Sequence, residues 1–190
     1  MRSRLIIVVP GLHEASLTGQ WLQAMRSHGP IPPLQIAPAT VVPYAPAAVL
    51  EWLRPHLTDP SRPVTAIGFS AGCVGLRAAL PELARAGQAI DSFIALDGWG
   101  VPLAHLPFRT YRLSRDHFSH RTASLLGAGD SFFWADPPVE HLDLWRSPTA
   151  AVGYWQQPGQ GSRATTAAHC LYHWAFGGPL EGMLGGRDRP

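Results

Sequence analysis

Apolar and polar positions along the chain alternate between two periods. Leu5 to Val9 is an unbroken run of apolar, mostly β-branched residues closed by Pro10-Gly11, which predicts a strand buried on both faces. Thr18 to His28 then carries Trp21, Leu22 and Met25 at helical spacing and stops at Gly29-Pro30, predicting a helix. The same alternation continues. Leu34-Gln35-Ile36 reads as a short strand inside a proline-rich stretch, and Ala47 to Leu57 as a helix with Leu50, Leu53 and Leu57 on one face. Pro63 to Gly68 reads as a second buried strand, and Ala71 to Ala86 as a helix that Pro81 kinks or ends. Ser92 to Leu96, Arg109 to Leu113 and Phe132 to Ala135 are the remaining strands, with a short helix at Thr122 to Leu126. Strands alternating with helices predict an α/β fold around a mostly parallel sheet of about six strands. Active sites of such sheets lie beyond the carboxyl ends of the strands. The polar candidates there fall in residues 11–14, 69–72, 114–120 and 136–143, with Asp97 at a fifth loop.

Composition narrows the reading. A chain of 190 residues, 46% hydrophobic and 15% charged, suits one domain over residues 1–190, with a glycine-rich, loosely ordered tail at 177–190. The net charge is +2 and the basic residues are scattered, which argues against a nucleic-acid partner. All fifteen cationic side chains are arginine. The lack of lysine excludes a Walker A lysine, a Schiff-base lysine and a pyridoxal phosphate anchor. Cys73 and Cys170 are far apart and form no ligand motif, so neither a disulfide scaffold nor a structural zinc site is expected. The run Leu5 to Val9 is too short for a signal-peptide core, and no later stretch is long enough to span a bilayer. The expectation is a cytoplasmic protein with no membrane span and no cofactor; the oligomeric state is open.

One motif carries chemistry. Gly68-Phe69-Ser70-Ala71-Gly72 matches G-x-S-x-G, in which a serine on a strained strand-to-helix turn projects its oxygen above the sheet and flanking glycines admit the close backbones. A strand leads in and a helix leads out, as that turn requires. The plainer alternative is a glycine-bracketed serine at an ordinary helix cap.

With that motif in that context, the chain resembles the α/β-hydrolase superfamily, near its compact, lidless end, over roughly Arg4 to Trp145. The resemblance implies a three-layer α/β-hydrolase-like sandwich and a serine hydrolase, esterase-like or thioesterase-like, that acts on a small-molecule acyl substrate through an acyl-enzyme on Ser70. It implies the chain order serine, acid, histidine, and hence Asp116 as acid after the strand Arg109 to Leu113, with Asp97, one strand earlier, as the alternative. His141 is the implied base, His117 and His120 the less favoured ones. The implied oxyanion donors are the amides of Ala71 and Leu12. Pro10-Gly11-Leu12-His13 departs from the family's His-Gly order, which leaves the second donor open and His13 either lining the site or capping its loop.

Other features admit two readings. His169 and His173, four apart on a helix, have metal-binding spacing but no glutamate between them, and a packed helix face is the preferred reading; with Cys170 or a distant carboxylate they define a rival metal-protein reading. Trp99, Trp134 and Trp145 form either an aromatic acyl pocket or bulky core. Cys73 reads as a small buried apolar residue. Trp155 to Ser162 reads as a flexible loop able to fold over the site. A further alternative keeps the fold without turnover: a catalytically inactive binding protein.

Overall fold

The computed structural model describes residues 4–177; the tail expectation, from residue 178 on, lies outside the described residues. One mixed sheet of eight strands organises them. Its strands are β1 (Leu5–Val9), β2 (Leu34–Ile36), β3 (Val64–Phe69), β4 (Ile90–Leu96), β5 (Arg109–Ser114), β6 (Ser131–Ala135), β7 (Val152–Gln156) and β8 (Arg163–Thr166). They lie in the order β2-β1-β3-β4-β5-β6-β7-β8. The first six in this order are mutually parallel, and β7 and β8 pair antiparallel at one edge. The expected six strands are thus corrected to eight, because the β7–β8 hairpin extends the sheet beyond β6.

Helices cover both faces: α1 (Ala15–His28), α2 (Pro46–Leu53), α3 (Ala71–Arg85), α4 (His117–Ser124), α5 (His141–Arg146) and α6 (Ala167–Phe176). The two-residue period of the strands sorts their side chains between two cores. Ile6, Val8, Ile67, Phe69, Ile94 and Leu96 face the core that contains Trp21 and Met25 of α1, Trp145 of α5 and Leu171 of α6. Leu5, Ile7, Val9, Ala66, Phe93 and Ala95 face the other, with Val49 and Leu53 of α2 and Leu76 and Leu80 of α3. Every residue of β1 and β3 is buried, the reason these strands read as continuous apolar runs. Each fully buried side chain of this size contributes roughly 1.5–3 kcal/mol of transfer free energy.

The strand order also places the site. From β1 the chain crosses to β2 on one side, then returns to β3 on the other side of β1. This reversal falls between β1 and β3, the position where parallel α/β sheets bind ligands, and brings together the loops that leave their carboxyl ends. Those loops are Gly11–His13 and the turn at Ser70. Among the described residues no helix is long and apolar enough to cross a membrane.

Candidate active site

Ser70 stands between the last residue of β3 and the first of α3 with φ 52° and ψ −118°, a left-handed conformation that costs a non-glycine residue on the order of 1–3 kcal/mol. The surroundings hold it there. Its amide donates to Leu96 O at 2.9 Å, its carbonyl accepts from Cys73 N at 3.0 Å, and the flanking glycines admit close backbones. A Cβ on Gly72 would lie 2.0 Å from Val9 O, and one on Gly68 would lie 3.0 Å from Cys73 N. On the β1 side, a Cβ on Gly11 would lie 2.9 Å from Ser70 Cβ and 3.1 Å from Phe69 O. Any other residue at 11 would force the first loop away from the serine.

Asp97 follows β4, in the turn beside the serine, and also has a positive φ of 44°. Its side chain is only 6% exposed. Oδ2 accepts from His141 Nδ1 at 2.6 Å, and Oδ1 accepts from the Arg115 amide at 3.3 Å. The Arg115 guanidinium, 3.9 Å from Asp97 and 3.3 Å from Asp116, lends positive charge to both carboxylates. His141 opens α5 with its side chain 35% exposed. Ser70, Ala71, Asp97, Trp99 and His141 line one cavity of about 620 Å³, so serine, histidine and carboxylate share a solvent-accessible space.

Asp116, the acid first implied, has its oxygens on Ser119 and Arg115. It is the N-cap of α4: Oδ1 accepts from Ser119 N at 2.6 Å and Oδ2 from Ser119 Oγ at 3.1 Å. Asp97, the alternative, holds the histidine instead. Ala71 lines the cavity beside Ser70, whereas Leu12 lies in the Gly11–His13 loop with its side chain exposed and lines a neighbouring cavity. His13 donates from Nδ1 to Glu14 O at 2.9 Å, with its ring 5.7 Å from that of Phe69. His117 and His120 pack against Trp134, outside the Ser70 cavity. Burial of His120, aided by the nearby His117 and Arg112, lowers its pKa to about 4.

The tryptophans divide by role. Trp99 is 66% exposed at the rim, donating to Thr122 Oγ1 at 2.9 Å. Trp134 lines a separate cleft with His117 and Tyr154. Trp145 is fully buried and belongs to a column that sequence reasoning missed. His141 stacks on Phe69 at 4.7 Å, Phe69 on Trp145 at 5.0 Å, and Trp145 on Trp21 at 4.6 Å. Trp145 lies four residues after His141 on α5, the helical spacing that brings both rings onto Phe69. The imidazole is therefore fixed by a carboxylate at Nδ1 and by a rigid aromatic face.

Arg112 is a second feature the sequence concealed. Fully buried at the centre of β5, it donates to Val101 O at 3.0 Å and Gly127 O at 2.9 Å, tying the segment after Asp97 to the end of α4. Burial lowers its pKa. Cys73 and Cys170 are buried free thiols, and burial pushes the Cys73 pKa up to about 12. His169 meets His28 edge to face at 5.7 Å on the α1–α6 surface. Among the described residues no group of three or more His, Cys, Asp or Glu is placed to hold a metal ion.

In comparisons with known proteins, the sequence matches no family model and no curated protein.

Proposed function

We propose that the protein is a serine hydrolase of the α/β-hydrolase type, a three-layer sandwich that cleaves a carboxylic ester or thioester of a small acyl substrate through an acyl-enzyme on Ser70. The observation that carries this reading is the strained Ser70 at the β3–α3 turn, lining one cavity with a His141 whose Nδ1 is bound to buried Asp97.

The chemistry follows from proton positions. Asp97 accepts the Nδ1 proton, which leaves Nε2 of the neutral imidazole as the basic atom. His141 takes the hydroxyl proton as Ser70 Oγ bonds to the carbonyl carbon. The electron pair displaced onto the carbonyl oxygen is held by the Ala71 amide, at the N-terminus of α3, and by the Leu12 amide. When the tetrahedral intermediate collapses, the bond to the leaving oxygen or sulfur breaks and His141 protonates that atom. Water then repeats the sequence: His141 takes its proton, the hydroxide oxygen bonds to the acyl carbon, and Ser70 Oγ leaves with the proton returned. The products are a carboxylic acid and an alcohol or thiol. Asp97 stabilises the imidazolium at both stages, and the Phe69–Trp145 stack fixes the ring plane. A cytoplasmic setting fits two buried cysteines that form no disulfide.

Mixing the protein with p-nitrophenyl acetate tests the reading. A burst of nitrophenol, with an acetyl mass increment on the Ser70 peptide, is expected for the native chain and not for Ser70→Ala. Turnover without a burst that survives Ser70→Ala would contradict it.

A further inference from the structure

A second cavity, of about 440 Å³, is lined by the Gly11–His13 loop, whose Gly11 lies against Ser70. Its walls come from that loop, from α1 through Thr18 and Leu22, and from the end of β2 and the stretch after it through Ile36, Val41 and Pro43. Among the described residues that line it, His13 and Thr18 are the only ones with polar side chains, and none is a carboxylate or an arginine. Its volume lies within the roughly 300–1,000 Å³ of small-molecule sites.

Resting on the hydrolase reading, we infer that this cavity is the acyl-binding pocket and that it takes an unbranched apolar acyl chain of medium length, while the leaving group occupies the cavity shared by Ser70 and His141. Proton transfer assigns the two sides. The atom that leaves must be reached by His141, so the leaving group lies on the His141 side of the serine. The acyl chain hangs from the same carbonyl carbon and takes the remaining direction. There Gly11 forms the boundary: its missing side chain brings bare backbone against Ser70 Cβ, and the next residue is the proposed oxyanion donor Leu12. A carbonyl oxygen held at that loop sets the chain beside it, at the apolar cavity. Carbon walls without charge favour a hydrocarbon chain, because each methylene moved out of water is stabilising, whereas a charged chain would lose its hydration with no partner.

Gly19 makes the inference testable. It lies inside α1, where glycine is a poor helix former, and it borders the cavity. A Cβ built there meets no atom within 4 Å, so a large side chain fits the fold at the edge of the cavity.

The experiment measures kcat/KM of the full chain on p-nitrophenyl butyrate, octanoate and dodecanoate. The native protein is expected to favour octanoate over butyrate by about tenfold or more, and Gly19→Phe to reduce that octanoate-to-butyrate ratio by about tenfold. Leu22→Ala, which enlarges the same cavity, is expected to raise the dodecanoate-to-octanoate ratio. An enzyme that hydrolyses these esters with ratios unmoved by either substitution overturns the pocket and leaves the hydrolase reading standing. A chain that hydrolyses none of the esters, with Ser70 unreactive to a fluorophosphonate, overturns both.

Discussion

At the scale of single residues, the site turns on which carboxylate serves the histidine. Asp97 and Asp116 both follow a strand and both touch Arg115, yet their oxygens are committed differently: Asp97 to His141 Nδ1, Asp116 to Ser119 at the start of α4. Asp97→Asn should lower kcat by roughly 10³–10⁴-fold through loss of the correct imidazole tautomer. Asp116→Asn should leave kcat within a few-fold, since asparagine caps a helix as well as aspartate does. Steady-state kinetics on the two variants checks this, and the opposite ranking would reinstate Asp116. Ser70 was legible because strand, G-x-S-x-G and helix are contiguous in sequence. The Asp97–His141 pair was not, because the histidine lies 44 residues from Asp97, and Asp97-Gly98 also reads as an ordinary turn. A helix-capping signal was available at Asp116: an aspartate directly before a helical segment, with Ser119 at the third helical position.

At the scale of elements, the parallel strands were legible and the edge hairpin was not. Leu5 to Val9 and Pro63 to Gly68 are apolar on both faces and fall within a residue or two of β1 and β3. β7 has only five residues, and one of its inward positions is Gly153, where a Cβ would lie 2.0 Å from Trp134 O. Close packing thus removed the apolar side chain that would have shown the two-residue period. Part of the expected Trp155 to Ser162 loop is therefore the end of β7. Similarly α4 starts at His117 and not near Thr122, because its first turn has Phe118, exposed, as its single apolar residue and is specified by the Asp116 cap. That helix carries a pH-sensitive contact. His120 packs against Phe132 at 4.5 Å and Trp134 at 5.2 Å, a setting that disfavours the imidazolium and lowers its pKa to about 4 in the fold. The unfolded chain, with an ordinary histidine near 6.5, binds more protons between those values, so this contribution is complete above about pH 6.5 and is lost as pH falls toward 4. Urea unfolding at pH 7 and pH 5 should show His120→Phe losing less stability than the native chain, by on the order of 1–3 kcal/mol. Equal losses would contradict it.

At the scale of the whole molecule, the fold brings together residues that no local pattern joins. The reversal of strand order beside β1 puts the Gly11–His13 loop against Ser70, and the sheet's two faces contribute separately. On one face the Trp21–Trp145–Phe69 column reaches His141 from α1 and α5. On the other, α3 presents Ser70 and packs Cys73 beneath the Asp97 turn, with Cys73 Sγ 3.6 Å from Leu96 O. In the proposed hydrolase this assembly makes Ser70 nucleophilic. Intact-mass analysis after exposure to a fluorophosphonate measures that property directly, on the native chain beside Ser70→Ala and His141→Gln. One phosphonyl adduct is expected on the native chain, none on Ser70→Ala, and labelling slowed by two or more orders of magnitude in His141→Gln. A native chain that stays unlabelled, or a His141→Gln variant labelled as fast as the native, would contradict it.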